Sequence, residues 1–304
     1  MASVIKFDNI CKKVNNINLL ANLSFGVAQS ENLFILGKNG SGKSTLFKIL
    51  MNTVIKNKGS IFINGMDFDK RKDDILPLIG YLPQENLFDK QLNIYENLQF
   101  DCEFKKIQNS QIKDKILNLA IKLDFKKYLY YNPNSVPFEI LRKISFARSI
   151  INDPDILLFD NPTYGLNSFD KQKIWDIISE FKSSKTIITI SQDFNETEQY
   201  SDRVVIMHNG KAVINSNMSN INNSINNTYR YQFTFKKIVP NNYLRELKSD
   251  KNINNIISRG EFLEFSVKNK QLFFKKFEEA LDYDLIDIKY SYSKIDELFK
   301  KVTE

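Results

Sequence analysis

From Val4 to Leu36 the chain alternates apolar and polar positions, as in Val4-Ile5-Lys6-Phe7 and Leu23-Ser24-Phe25-Gly26-Val27, then closes on the apolar run Leu33-Phe34-Ile35-Leu36. Alternation with period two predicts strands, and a run without polar breaks predicts a strand buried on both faces. The segment Leu46-Phe47-Lys48-Ile49-Leu50-Met51 has helical character, and Gly59-Ser60-Ile61-Phe62-Ile63-Asn64-Gly65 predicts a hairpin turning at its Asn-Gly pair. Residues 85 to 150 carry helical periodicity, most clearly at Ile112, Ile116, Leu119, Ala120 and Leu123. Buried-type strands return at Ile156-Leu157-Leu158-Phe159 and Ile187-Ile188-Thr189-Ile190, separated by an amphipathic helix around Lys171 to Phe181. Strands alternating with helices predict a mainly parallel sheet covered on both faces, here interrupted by a helical insertion.

From Asn215 to Asn227 the composition collapses mostly into Asn and Ser, which predicts a linker or exposed loop. Beyond it the pattern predicts strand (Tyr231 to Phe235), helix (Asn241 to Lys248), strand (Ile253 to Ile257), strand (Phe262 to Val267), helix (Gln271 to Leu281), strand (Leu285 to Tyr290) and a last helix (Lys294 to Val302). That order is a split β-α-β pattern on the scale of a small ferredoxin-like unit. A chain of 304 residues can bury one sizeable core and a smaller one. The expected organisation is an α/β domain over residues 1–218, with a helical subdomain at about 85–150, and an α+β accessory domain over residues 219–304.

Composition narrows the function classes. No stretch approaches the roughly 18 uninterrupted apolar residues of a membrane helix, and Met1-Ala2-Ser3-Val4-Ile5-Lys6 lacks the apolar core of a signal peptide, so the chain is expected to be soluble and cytoplasmic. Cys11 and Cys102 cannot make a disulfide framework and have no metal-ligand spacing; both read as packing residues. The net charge of +7 is compatible with an anionic partner, but the same excess of Lys, Asn, Ile, Phe and Tyr would follow from an AT-rich gene, and no nucleic-acid partner is expected. There is one histidine, His208.

The chemistry is concentrated in Gly37-Lys38-Asn39-Gly40-Ser41-Gly42-Lys43-Ser44-Thr45, placed between a predicted strand and a predicted helix. Gly37, Gly40 and Gly42 let the backbone curl so that successive N–H groups, Asn39 and Thr45 within the same run, face a phosphate chain, and the helix adds its positive end. Lys43 supplies a point charge for the β- and γ-phosphates, and the Ser44 hydroxyl is placed to ligate Mg²⁺. ATP and Mg²⁺ are the expected cofactors.

With these residues in hand, the order of motifs resembles the ABC-transporter ATPase family over nearly the whole chain, which implies a P-loop NTPase fold. Gln84 in Tyr81-Leu82-Pro83-Gln84 is similar to the family's Q-loop glutamine, which senses Mg²⁺ and γ-phosphate and faces the transmembrane partner. Leu92-Asn93-Ile94-Tyr95-Glu96-Asn97-Leu98 looks like the segment after that loop, Ile156-Leu157-Leu158-Phe159-Asp160 resembles Walker B, and Pro162-Thr163-Tyr164-Gly165-Leu166 resembles the stretch into the D-loop. The resemblance thus implies Ser44, Gln84 and Asp160 as the metal set. The short run Ser291-Tyr292-Ser293-Lys294-Ile295-Asp296-Glu297-Leu298-Phe299 is similar to the tail of ATPases from ABC-2-type exporters.

Several positions depart from the family pattern. Asn161 stands where the catalytic glutamate is expected and Gln192 where the switch histidine is expected, so the resemblance leaves no intact catalytic residue. An amide can orient water but cannot take its proton, and losing a general base costs on the order of 10² to 10⁴ in rate. At the signature Leu-Ser-Gly-Gly-Gln the chain has Val136-Pro137-Phe138-Glu139-Ile140; a two-residue insertion would make Ser135 the serine without restoring the glycines. The D-loop aspartate is Asn167, and the aromatic that stacks on adenine is Val14.

Three readings follow from the resemblance. The first is the ATP-binding subunit of an ABC-2-type exporter, peripheral on the inner face of the cell membrane, bound to transmembrane permease subunits and to a second ATP-binding subunit. A heterodimer is favoured there over a homodimer, and intrinsic hydrolysis is weak or absent. The alternative is a non-hydrolysing ATP-gated binding or regulatory module. A DNA- or ribosome-associated ATPase of the same superfamily ranks last.

Overall fold

In the computed structural model, which describes residues 3–224, 229–267, 270–291 and 294–303, the alternating N-terminal segment folds into a hairpin of β1 (Ser3–Val14) and β2 (Ile17–Ala28). The apolar run becomes β3 (Asn32–Gly37), followed by α1 (Lys43–Leu50), then β4 (Lys58–Ile63) and β5 (Met66–Asp67). The β4–β5 turn has φ of 50° at Asn64 and 76° at Gly65, the left-handed pair that an Asn-Gly turn supplies at least cost. A short α2 (Lys72–Ile75) and β6 (Ile79–Leu82) lead into the helical insertion, α3 (Ile94–Phe104), α4 (Asn109–Lys122) and α5 (Phe138–Ile150). The chain then alternates β7 (Ile156–Asp160), α6 (Ser168–Phe181), β8 (Thr186–Ile190), α7 (Phe194–Tyr200), β9 (Arg203–His208) and β10 (Lys211–Asn217).

Strands β3, β6, β7, β8 and β9 pair in parallel, and β10 closes one edge antiparallel, giving the order β10-β9-β3-β8-β7-β6. Every residue of β7 and β8 is buried, as an apolar strand without alternation requires when both sheet faces are covered. A second sheet, β2-β1-β4-β5, contributes Ile5, Phe7, Leu23, Phe25, Ile61 and Ile63 to the same core as Leu33, Ile35, Leu158 and Ile188. Among the described residues no helix is long and apolar enough to cross a membrane.

The Asn- and Ser-rich stretch from 215 is not a loop throughout: residues 215–217 complete β10, and α8 (Met218–Ser224) follows. Met218 and Ile221, three residues apart, are both buried, and that single apolar stripe holds a helix the composition disguises. Residues 225–228, in the predicted linker, lie outside the described residues, as do Met1 and Ala2 at the start and Tyr292 and Ser293 in the exporter-like tail.

The chain divides into two compact units, Met1–Met218 with Phe299–Glu304, and Ser219–Leu298. In the second, β11 (Tyr229–Phe235), α9 (Asn241–Ser249), β12 (Ile253–Arg259), β13 (Phe262–Val267), α10 (Lys270–Leu281) and β14 (Leu285–Ser291) give an antiparallel sheet of order β12-β13-β11-β14. Tyr231, Phe233, Phe235, Leu263, Phe265 and Val267 alternate onto one face and form the core with Tyr243 and Leu247 of α9. The final helix α11 (Lys294–Thr303) differs from the expected accessory domain over 219–304, because its last residues belong to the first unit. There the Phe299 ring packs 5.3 Å from that of Phe194, and the Thr303 carbonyl accepts from Lys38 Nζ at 2.9 Å.

The Tyr243 hydroxyl donates to the Lys276 carbonyl at 2.6 Å, and burial raises the phenol above the usual tyrosine range. Tyr243→Phe is expected to cost about 1 kcal/mol in urea unfolding. The unfolded phenol ionises near pH 10 while the native one stays neutral, so this part of the stability is present below pH 10 and is lost as pH rises. Unfolding midpoints between about pH 8 and pH 11 are expected to fall less for the phenylalanine variant than for the wild type.

Candidate functional site

The site is assembled at the carboxyl ends of β3, β6, β7 and β8, where an open parallel sheet leaves room for a ligand. Beyond β3 the chain curls through Gly40 at φ 80° and Gly42 at φ 102°, both left-handed. A Cβ at Gly42 would lie 2.3 Å from the Leu19 carbonyl oxygen, so no larger residue fits without moving the backbone. Gly42 caps α1 without a side-chain hydrogen bond, leaving the first N–H groups of the helix available to an anion.

Lys43 folds back over this loop, its ammonium donating to the Gly37 carbonyl at 2.8 Å, the Lys38 carbonyl at 3.0 Å and Ser41 Oγ at 3.3 Å. Burial lowers its pKa, and the nearby Asp160 carboxylate opposes that shift. Ser44 Oγ donates to Asp160 Oδ2 at 3.0 Å, and Asn161 Nδ2 donates to Asp160 Oδ1 at 3.1 Å. Burial raises the Asp160 carboxyl, while the Ser44 hydrogen bond and the Arg142 and Lys43 charges pull it down.

A cavity of about 140 Å³ is lined by Asn39, Gly40, Ser41, Gly42, Lys43, Ser44, Thr45, Gln84, Asp160, Asn161 and Gln192, with Leu19 and Ile190 as apolar wall. The residues expected from the sequence therefore converge, apart from Gly37, which takes part through its carbonyl bond to Lys43. Gln192 Nε2 donates to Asn39 Oδ1 at 3.2 Å. Asn161 sits at φ 50° with its backbone N–H on the Ile190 carbonyl at 2.8 Å. His208 ends β9 and takes no part in the cavity lining. Ser44, Asp160 and Gln84 offer hydroxyl, carboxylate and amide oxygens, a hard donor set suited to Mg²⁺ held by one carboxylate and by phosphate oxygens. Among the described residues there is no cluster of three or more His, Cys, Asp or Glu side chains able to hold a metal, so Mg²⁺ would depend on a nucleotide to complete its shell.

Leu19, in the cavity wall, and Arg142, behind it, escape sequence reasoning. Leu19 reaches the cavity through hairpin register, while Val14 pairs with Ile17 at the end of β1 and is absent from the lining. Arg142 is fully buried although it lies in a helix of ordinary pattern; the only sequence signal was an arginine among apolar positions.

The stretch at the signature position opens α5 directly: Pro137 caps it, Phe138 is its first residue and Glu139 lies in its first turn. The Phe138 ring lies edge-on to Tyr164 with centroids 6.1 Å apart, and a Cβ at Gly165 would come within 2.3 Å of it. Asn167, at the D-loop position, caps α6 by accepting from the Asp170 N–H at 3.0 Å, and Asp170 in turn pairs with Lys143 of α5 at 3.0 Å.

Residues 20–164 match the family model for the ABC transporter. The chain carries an ABC transporter ATPase domain. It is 26% identical to ABC transporter A family member 4 of Dictyostelium discoideum over 99% of this chain and 20% of that protein. It is 29% identical to the energy-coupling factor transporter ATP-binding protein EcfA2 of Staphylococcus epidermidis over 72% of this chain and 80% of that protein. The chain spans 8% to 26% of the length of such A-family relatives. Among solved structures, the ATP-binding subunit of an ABC transporter superposes with a TM-score of 0.68 at 20% identity, covering 73% of this chain and 92% of that one. A dimeric ATP-binding cassette in a post-hydrolysis state, bound to ADP and Pi, superposes with a TM-score of 0.65 at 23% identity, covering 70% and 98%. At such identities these superpositions carry the ABC fold.

The two loop glycines separate backbone strain from crowding. Gly40→Ala meets nothing within 4 Å and is expected to cost about 1 kcal/mol for the left-handed backbone alone. Gly42→Ala adds the Leu19 clash and is expected to cost at least about 2 kcal/mol, read from chemical-denaturation midpoints of both variants.

Proposed function

We propose that this ABC domain binds MgATP and passes its nucleotide state to transmembrane permease subunits of an ABC-2-type export transporter at the inner face of the membrane, with weak or absent hydrolysis. The observation that carries the reading is the polar inventory of the cavity. Its only carboxylate is Asp160, whose two oxygens already accept from Ser44 and Asn161. Four further lining side chains are amides, Asn39, Gln84, Asn161 and Gln192. Amides can orient water and phosphate oxygens, but none is a base at neutral pH.

The roles follow from this chemistry. The Gly37, Gly40 and Gly42 loop with Asn39 and Thr45 cradles phosphate, Lys43 neutralises it, and Ser44, Asp160 and Gln84 hold Mg²⁺. Bound Mg²⁺ would supply charge neutralisation to the phosphates. Its relatives, an ABC transporter of the A family and a transporter ATP-binding protein, support membrane partners. A second ATP-binding subunit completes the assembly, and a heterodimer is the favoured form.

One observation favours the alternative, a non-hydrolysing ATP-gated binding or regulatory module. Phe138 on Gly165, with Glu139 in the first turn of α5, leaves this helix end unfit to clasp a partner's phosphates. Binding alone still shifts a conformational equilibrium when ATP prefers one state.

Calorimetry and single-turnover assays on the purified chain decide the matter, with Lys43→Ala as control. MgATP binding without cleavage is expected, and Lys43→Ala abolishes the binding. Lys43-dependent cleavage would show that another group replaces the missing base and would overturn the weak-hydrolysis reading.

A further inference from the structure

Arg142 is fully buried and its guanidinium makes six polar contacts, yet it is absent from the cavity lining. Its Nη1 donates to the Pro83 carbonyl at 2.6 Å and the Gln84 carbonyl at 3.1 Å, and reaches Asn86 Oδ1 at 3.5 Å. Its Nη2 donates to the Asp160 and Asn161 carbonyls, both at 2.7 Å, and its Nε to the Pro162 carbonyl at 3.3 Å. All six acceptors are neutral oxygens. Burial pushes the guanidinium down to about 10, so it remains a cation at neutral pH.

These acceptors belong to two segments, one leaving β6 and the other leaving β7. The strands pair in parallel as far as Leu82 with Phe159, and the ladder between them ends there. Pro83 and Pro162 have no N–H with which to extend it. Arg142 supplies the missing donors, and its planar fork lets one side chain reach carbonyls on both segments.

We infer that Arg142 is a positioning residue that locks the Gln84 segment to the Asp160 segment, so that both side chains address one Mg²⁺. The inference rests on the MgATP reading. It gives a buried cation whose direct acceptors are all neutral, and which meets the Asp160 carboxylate only through space, a function that packing does not supply. It also links the phosphate site to α5, the helix that opens with the altered signature stretch.

The test uses the full chain and Arg142→Lys, which keeps the charge and loses the fork. In hydrogen exchange, segments 83–88 and 160–166 are expected to lose protection together while β6 and β7 keep theirs. In titrations with ATP, affinity in EDTA is expected to stay within about twofold, while the gain in affinity conferred by Mg²⁺ falls about tenfold, the usual scale for a residue that orients a metal ligand. On a Gln84→Ala background the same substitution is expected to cause little further loss. Unchanged exchange, or equal losses with EDTA and with Mg²⁺, would overturn the inference and leave Arg142 a structural residue. If Arg142→Lys does not fold, the wild type decides: MgATP must slow exchange in both segments by the same factor, and protection of only one refutes the lock. A wild type that binds no ATP overturns the nucleotide reading and its Mg²⁺ corollary, while exchange in the variant still decides whether Arg142 joins the two segments.

Discussion

A parallel sheet covered on both faces leaves its chemistry one outlet, the carboxyl ends of its strands. Here β3 delivers the phosphate loop, β6 delivers Gln84, β7 delivers Asp160 and β8 delivers the segment that ends in Gln192. The hydrogen bond from Ser44 to Asp160 joins the first of these ends to the third. Within the first unit, the buried apolar strands below, the hairpin sheet that places Leu19 and the buried guanidinium of α5 hold the strand ends together.

Much of this was legible in the sequence because it depends on local rules. Apolar runs without alternation named the central strands, Asn64-Gly65 named its hairpin, and the glycine spacing around Lys43 named the loop. The ferredoxin-like order of the second unit was equally local, since each strand and helix there carries its own period. What escaped depends on long-range contact. Leu19 reaches the cavity from a distant hairpin, and Arg142 acts on carbonyls about 20 and 60 residues away, which no window of sequence contains. The α8 helix escaped for a compositional reason, two apolar anchors in an Asn-rich background. The return of Phe299 to the first unit escaped because an aromatic contact with Phe194 has no signature in either segment.

Several polar residues of the site are paired with one another. Asp160 accepts from Ser44 and Asn161, Gln192 donates to Asn39, and Lys43 is spent on loop carbonyls. Groups paired in this way avoid the cost of burial without partners, which is about 1 to 3 kcal/mol each. A phosphate chain would have to exchange these bonds for its own. Lys43 is the best placed to do so, because its present acceptors, two backbone carbonyls and the Ser41 hydroxyl, are neutral oxygens that a charged oxygen readily outcompetes.

The backbone of Asn161 constrains this position as much as its amide does. At φ 50° the residue occupies a region that asparagine tolerates and that costs most other L-residues about 1 to 2 kcal/mol. Its amide hydrogen is already fixed on the Ile190 carbonyl, and its side chain on the neighbouring aspartate. Relaxed geometry and an inert side chain therefore reinforce each other at this position. A glutamate introduced at this position would therefore meet a cost in the fold as well as bring a change of chemistry.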